Sequence, residues 1–219
     1  MHSSVSETVI DSAGSHAMRM PVAQEEQARA DIYGLIARLL LAPPDDALLD
    51  SLAGADAIVS SDTEQPLDRA WDQLSLIARL LPFDLVRDEF NDLFVSTGVP
   101  RVNPYGSLYL AGFLHEKPLA ALRADLAKLG LARRGGTVET EDHLGVLCET
   151  MRRLIVDRHS LAAQKQFFDA HLATWHGKCL AHLRQAEGAQ FYARVADLAA
   201  AFFEIEQQAF DVAEDDSAD

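Results

Sequence analysis

The 219-residue sequence lacks most of the features that mark the common function classes. Its two cysteines, Cys148 and Cys179, stand in separate helical patterns with no Cys-x-x-Cys, so no disulfide framework is encoded and a reducing, cytoplasmic setting is expected. There is no run of 18 apolar residues to cross a membrane as a helix. The first 20 residues lack the apolar stretch of a secretory signal. Basic residues are scarce: 19 Lys and Arg face 34 Asp and Glu, for a net charge of −15. Such a chain repels nucleic acid and anionic lipid and attracts cationic partners, a basic peptide among them. The same acidity also serves simple solubility. β-Branched residues are sparse and no segment alternates with period two for long, so no sheet is expected. The Gly-x-Ser-x-Gly, P-loop, Gly-x-Gly-x-x-Gly and His-Glu-x-x-His signatures are all missing, as is any repeat at solenoid spacing.

What is present is helical periodicity. Ile32, Leu35, Ile36, Leu39 and Leu40 fall on one helix face, and Pro43-Pro44 stops that helix. A short helical segment follows around Ala47–Leu52, then a polar, flexible stretch at Ser60–Gln65. Leu67, Ala70, Trp71, Leu74, Ala78 and Leu81 form a second stripe that ends at Pro82, and Val86, Phe90, Leu93 and Phe94 form a third. Ser96–Ser107 reads as a loop, Leu108–Leu114 and Pro118–Leu129 as helices. Later stripes run from Leu144 to Ile155, from Phe167 to Leu183 and from Phe191 to Ile205. These patterns predict an all-α fold, a single bundle of about seven to nine helices. Residues 1–22 are expected to be a disordered leader, in part a cloning remnant, and residues 23–210 the helical domain. A glycine-containing hinge is placed at 130–140, and residues 211–219 are expected to form a frayed acidic tail.

Three places invite a chemical reading. The spacing His171, His176, Cys179, His182 suggests metal ligands, but three-residue steps carry the last of them roughly 120° around the helix from His176, too far for one ion. No metal site is expected. The segment Glu139-Thr140-Glu141-Asp142-His143 precedes a strong helix. Its acids suit the positive end of the helix dipole, and Thr140 is placed to cap. The functional alternative is that Asp142 orients His143 beside a groove, with both partly exposed. The loop Asn103-Pro104-Tyr105-Gly106-Ser107-Leu108-Tyr109 carries two tyrosines suited to a peptide; equally, Ser107 could cap the next helix with the rings packed inward.

Together these segments resemble the TorD/DmsD family of redox-enzyme maturation chaperones. Glu89-Phe90-Asn91-Asp92-Leu93-Phe94 followed by Pro104-Tyr105-Gly106-Ser107-Leu108-Tyr109 is similar to the family's acidic-aromatic-x-x-Leu-Phe and Pro-x-x-Ser-x-Tyr. Glu139–His143 is similar to Glu-Pro-x-Asp-His, and Phe167-Phe168, His171-Leu172 and Trp175 to Phe-x-x-x-His-Leu-x-x-Trp. Thr140 and Thr174 depart from the family's prolines, the first at the expense of hinge stiffness. The resemblance runs from about residue 25 to residue 210. It implies a cytoplasmic chaperone, not an enzyme. Such a chaperone binds the catalytic subunit of a molybdopterin oxidoreductase, through its twin-arginine signal peptide, and holds it for cofactor insertion before export. It further implies no cofactor apart from weak guanine-nucleotide binding, no nucleic-acid partner, no stable membrane insertion, and a monomer or domain-swapped dimer. The expected client-binding residues are Glu139, Glu141, Asp142 and His143, with Leu93, Phe94, Pro104, Tyr105, Ser107 and Tyr109. Two alternatives stay open: a helical enzyme that binds or hydrolyses nucleotides with Asp142 and His143, and a helical adaptor unrelated to molybdoenzymes.

Overall fold

In the computed structural model, proline and side-chain caps set the helix boundaries. The structure describes residues 23–56, 65–95, 99–112, 117–131 and 139–216. Helix α1 (Gln24–Leu41) ends where Ala42 turns extended before Pro43, and α2 (Asp46–Ala53) starts on Asp45, whose carboxylate accepts the Leu48 N–H at 2.8 Å. Helix α3 (Pro66–Leu80) opens on a proline and stops at Leu81, extended before Pro82. Pro82 then precedes α4 (Phe83–Phe90). The remaining helices are α5 (Gly106–Ala111), α6 (Lys117–Lys128), α7 (Leu144–Val156), α8 (Leu161–Phe168), α9 (His176–Gln185) and α10 (Phe191–Asp216). Two π-helical stretches, Asn91–Val95 and Asp169–Ala173, prolong α4 and α8. Among the described residues there is no strand, and none of the helices is long and apolar enough to cross a membrane.

The long α10 is the hub of the bundle. It packs on α3 and α9, and less extensively on α1, α4 and α8, while α1 lies along α7. Its Val195, Ala199, Phe202, Phe203 and Phe210 are buried at helical spacing. The α1–α7 contact is close because Gly145 has no Cβ: one there would stand 2.8 Å from Leu41 Cγ. A buried ion pair locks α1 to α10. Glu206 accepts from Arg29 Nε and Nη2 at 2.7 Å each and from the Tyr33 hydroxyl at 3.0 Å.

Several boundaries differ from the sequence reading. Ten α-helices are described, more than the seven to nine expected, because the turn at Trp175 divides the stripe from Phe167 to Leu183 that reads as continuous. The helix expected at Leu108–Leu114 is Gly106–Ala111, ended by Gly112 at φ 79°. The tail expected at 211–219 is helix through Asp216; Asp211 accepts hydrogen bonds from Gln207 and Lys165, both at 3.1 Å. The leader at 1–22 and residues 132–138 of the hinge lie outside the described residues, as does nearly all of the Ser60–Gln65 stretch.

Candidate client-binding cleft

Asp142 organises the site. Its Oδ2 accepts the Ser107 backbone N–H at 3.0 Å and the Ser107 hydroxyl at 2.5 Å, and its Oδ1 accepts the Thr140 hydroxyl at 2.6 Å. The backbone continues the seam. Gly106 N–H donates to the Asp142 carbonyl at 2.9 Å, and Leu144 N–H donates to the Pro104 carbonyl at 2.8 Å. Tyr105 and His143 form an isolated antiparallel bridge, their rings edge to face at 5.0 Å. The Tyr105 hydroxyl donates to the Glu139 carboxylate. Two segments 35 residues apart are thus stitched into one unit. Helix α5 has no side-chain cap of its own, and Asp142 supplies one from a distance.

This geometry corrects the expected exposure. Asp142 and His143 are each only 4 % exposed. The cap of α7 is His143, whose Nδ1 accepts the Gly145 N–H at 3.0 Å; Thr140 steadies Asp142 instead. Ser107 does not cap α5 but lies inside it, held by Asp142. Burial pushes the His143 pKa down to about 4, against the opposing pull of Glu139 and Asp142, so the ring is neutral near pH 7. Burial also pushes the Asp142 carboxyl up, but hydrogen bonds from Ser107 and Thr140 outweigh it and leave the carboxyl below the usual range.

The third family-like stretch meets the same unit. The Trp175 ring lies on Gly106, where a Cβ would come within 3.1 Å of it. Its Nε1 donates to the His171 carbonyl at 2.6 Å, and Tyr109 stacks on it with ring centroids 5.6 Å apart. From α6, Asp125 Oδ2 pairs with His171 Nε2 at 3.0 Å, and Arg123 Nη2 donates to Glu141 Oε2 at 2.9 Å. Between α5, α6 and the Trp175 turn lies a cleft of about 200 Å³ with Leu110, Leu122, Leu147 and Trp175 as apolar walls and Asp142 and Asp125 as acids. Past the Asp125–His171 pair it continues into a lobe of about 110 Å³ beside Phe167, Leu129 and Lys128. Larger clefts lie elsewhere, about 560 Å³ between α8 and the end of α10 and about 410 Å³ between α3, α9 and α10, away from the seam.

Of the ten expected residues, Pro104, Tyr105, Ser107, Glu139, Asp142 and His143 form the seam, Tyr109 flanks it, and Glu141 faces α6. Leu93 and Phe94 stand apart. Leu93 is buried, with its carbonyl accepting the Val102 N–H at 2.9 Å, and Phe94 packs on Phe90 and Tyr192. The first family-like stretch serves α10: Glu89 accepts the Gln190, Phe191 and Tyr192 N–H groups at 2.8–3.1 Å and caps that helix. The sequence reading passed over Arg123, Asp125 and Leu122. Nothing on the stripe of α6 distinguishes its cleft-facing side, whereas Trp175 and His171 were visible as a motif. The residues weighed as metal ligands face different partners. His171 meets Asp125, His182 Nδ1 lies 3.2 Å from the Tyr109 hydroxyl, and His176 packs on Phe168 and Phe203. Among the described residues no group of three His, Cys, Asp or Glu side chains is placed to hold a metal ion.

Comparison with known proteins bears on the family and the fold. A family profile described as nitrate reductase delta subunit matches residues 61–181, more than half the chain. A chaperone protein TorD from Vibrio atlanticus (strain LGP32) is 29% identical over 132 residues, covering 55% of this chain and 61% of the relative. The match therefore spans less than two thirds of that relative. A chaperone protein TorD from Vibrio parahaemolyticus serotype O3:K6 is 26% identical over 192 residues, covering 82% of this chain and 80% of the relative. The crystal structure of a candidate redox enzyme maturation protein from Archaeoglobus fulgidus superposes with a TM-score of 0.53 at 18% identity, over 81% of this chain and 93% of that one, a likeness of fold. The chain belongs to the nitrate reductase delta subunit family, the family of TorD-like redox-enzyme maturation proteins.

Proposed function

We propose that this protein is a cytoplasmic chaperone for the catalytic subunit of a molybdopterin oxidoreductase. It binds that subunit through its twin-arginine signal peptide and holds it for cofactor insertion before export. The observation that carries the reading is the convergence of the Pro104–Tyr109, Glu139–His143 and Phe167–Trp175 stretches around one cleft with acids and an aromatic wall. A twin-arginine leader joins a cationic pair to an apolar stretch. The part-exposed Asp125 carboxylate and the apolar Leu110, Leu122 and Trp175 match both parts. The net charge of −15 draws such a peptide from a distance. The chaperone names of the Vibrio relatives point the same way.

The seam residues frame the cleft rather than touch the client. Ser107, His143 and most of Asp142 are buried in the unit that fixes α5 against α7. The same fact weighs against an acid–base enzyme. The Asp142 carboxylate is taken up by Ser107 and Thr140, and Nδ1 of the neutral His143 by Gly145. Weak guanine-nucleotide binding is implied by the family resemblance, and titration of a guanine nucleotide into the purified protein tests it.

The test is capture of molybdoenzyme catalytic subunits by the tagged protein, paired with molybdoenzyme activity in a deletion strain. Retention of such a subunit, and loss of its activity on deletion, is the expected result. Intact activity together with an unrelated client list would favour the adaptor. Turnover of nucleotide that disappears in His143→Ala would favour the enzyme.

A further inference from the structure

The two lobes of the cleft share three residues, Asp125, Ala170 and His171, which form its waist. Asp125 comes from α6, and Ala170 and His171 from the π-helical stretch that prolongs α8. The Asp125 side chain is 36% exposed. Its Oδ2 accepts from His171 Nε2 at 3.0 Å and its Oδ1 from Lys128 Nζ at 2.8 Å. Burial holds the His171 pKa below its usual value despite the pull of Asp125, so the ring is neutral near pH 7 and donates without bringing charge. Lys128 is 75% exposed, and an ion pair so open to water is worth little. A carboxylate offers about four acceptor positions. These two contacts use one on each oxygen and leave the other, the arrangement that a guanidinium fork takes up. The carboxylate is also held in place. The His171 carbonyl accepts Trp175 Nε1 at 2.6 Å and its ring packs on Phe167 at 4.9 Å, so the walls of both lobes fix the group that orients Asp125. The other acid of the larger lobe, Asp142, is buried, with its oxygens taken up by Ser107 and Thr140.

The lobes differ in size. An apolar cavity of roughly 150 Å³ accommodates a benzene ring. The lobe of about 200 Å³ walled by Leu110, Leu122, Leu147 and Trp175 therefore has room for an aromatic side chain, and the lobe of about 110 Å³ beside Phe167 and Leu129 only for a smaller one. We propose that Asp125 is the residue that reads an arginine of the client peptide, with a ring-sized apolar side chain of the same peptide in the larger lobe beside it. The inference rests on the signal-peptide reading above and names the carboxylate that receives the guanidinium. Lysine suits the place less, because an ammonium is a point charge and cannot fork across both oxygens. Waist and lobe are contiguous, so charge and apolar bulk are read together. A basic peptide without the ring, or an apolar one without the arginine, satisfies only half of the site.

The experiment is fluorescence-anisotropy titration of a labelled synthetic peptide bearing two adjacent arginines and an apolar stretch that contains a phenylalanine. Its partners are the same peptide with both arginines changed to glutamine and with both changed to lysine. Wild type is expected to bind the glutamine peptide at least about tenfold more weakly than the arginine peptide, and the lysine peptide about three- to fivefold more weakly. Asp125→Asn should cut the arginine-over-glutamine preference to less than about threefold and leave the glutamine peptide unmoved, the coupling that a double-mutant cycle reads. Glu204→Gln removes the same unit of charge from an exposed position on another cleft and should keep the preference. Ala170→Phe fills the waist from an exposed position and should weaken both peptides. A preference that survives Asp125→Asn, or that Glu204→Gln lowers equally, overturns the proposal, as does unaltered binding of both peptides by Ala170→Phe. Thermal melts check the fold, and Asp125→Glu, which keeps the carboxylate, is expected to retain the preference. Capture of the full-length catalytic subunit, run in parallel, separates the two ideas. If wild type captures it while Asp125→Asn leaves the arginine preference intact, the Asp125 assignment falls and the chaperone reading stands. If no such subunit is captured but the preference depends on Asp125, the chaperone reading falls and the assignment stands for arginine-bearing peptides.

Discussion

At the residue scale, Asp142 is a structural hub that a binding role alone would not need. Asp142→Ala removes two hydrogen bonds from the buried Ser107 and one from Thr140, and is expected to destabilise the protein by about 2–4 kcal/mol. Asp142→Asn keeps an acceptor for Ser107 and should lose only about 1 kcal/mol. Urea midpoints order the two; equal loss, or none, would remove Asp142 from the seam. His143 and His176 give a pH signature, since burial lowers both pKa values to about 4. The unfolded chain takes up these protons as the pH drops below about 6.5, while the folded chain resists until about 4. Stability is therefore complete above pH 6.5 and falls between pH 6.5 and 4, by at most about 1.4 kcal/mol per pH unit for each ring. His143→Asn retains a capping acceptor without the titrating ring. Its urea midpoint should fall less steeply over that window than that of the wild type.

At the element scale, the informative features are helix starts completed by distant carboxylates. Glu89→Ala uncaps α10 and is expected to destabilise by about 1–2 kcal/mol, read as a shift in chemical denaturation without loss of helix content by circular dichroism. Gly106→Ala sets a methyl against Trp175, which the Tyr109 stack and the His171 carbonyl hold in place. It should destabilise by about 1–3 kcal/mol and quench or shift the Trp175 emission. The sequence revealed these elements unevenly. Apolar spacing and the prolines at 43, 44 and 82 announce α1, α3 and α4 because those signals are local. The π-helical stretches at Asn91–Val95 and Asp169–Ala173 were invisible, since one extra residue in a turn leaves the apolar stripe nearly unchanged. The partner of Glu89 lies 101–103 residues away and that of Asp142 lies 35 away, and no spacing rule reaches so far. Asp142 and His143 read as partly exposed, and the structure buries both, because a polar cluster before a helix looks solvated until its second segment is placed over it.

At the scale of the whole molecule, excess negative charge and a cleft with acids act together. Association with a twin-arginine peptide should slow and weaken as salt rises from about 50 to 500 mM, because long-range attraction is screened over a Debye length of about 10 Å at 0.1 M. The glutamine peptide should show a much flatter dependence, and matching salt profiles for the two peptides would count against charge steering. The packing of α10 on five other helices also gathers α1, α3, α4, α8 and α9 about one core.

The long reach of Glu89 has a consequence for synthesis. As the chain leaves the ribosome, α4 emerges carrying a carboxylate whose three N–H partners at Gln190–Tyr192 follow about a hundred residues later. At roughly 5–20 residues per second that is an interval of about 5–20 s. During it the start of α10 does not yet exist, and the apolar faces of α1, α3 and α4 wait for the helix that covers them. A protein placed here in the maturation of others is thus, for those seconds, a nascent chain with its own unfinished surface exposed.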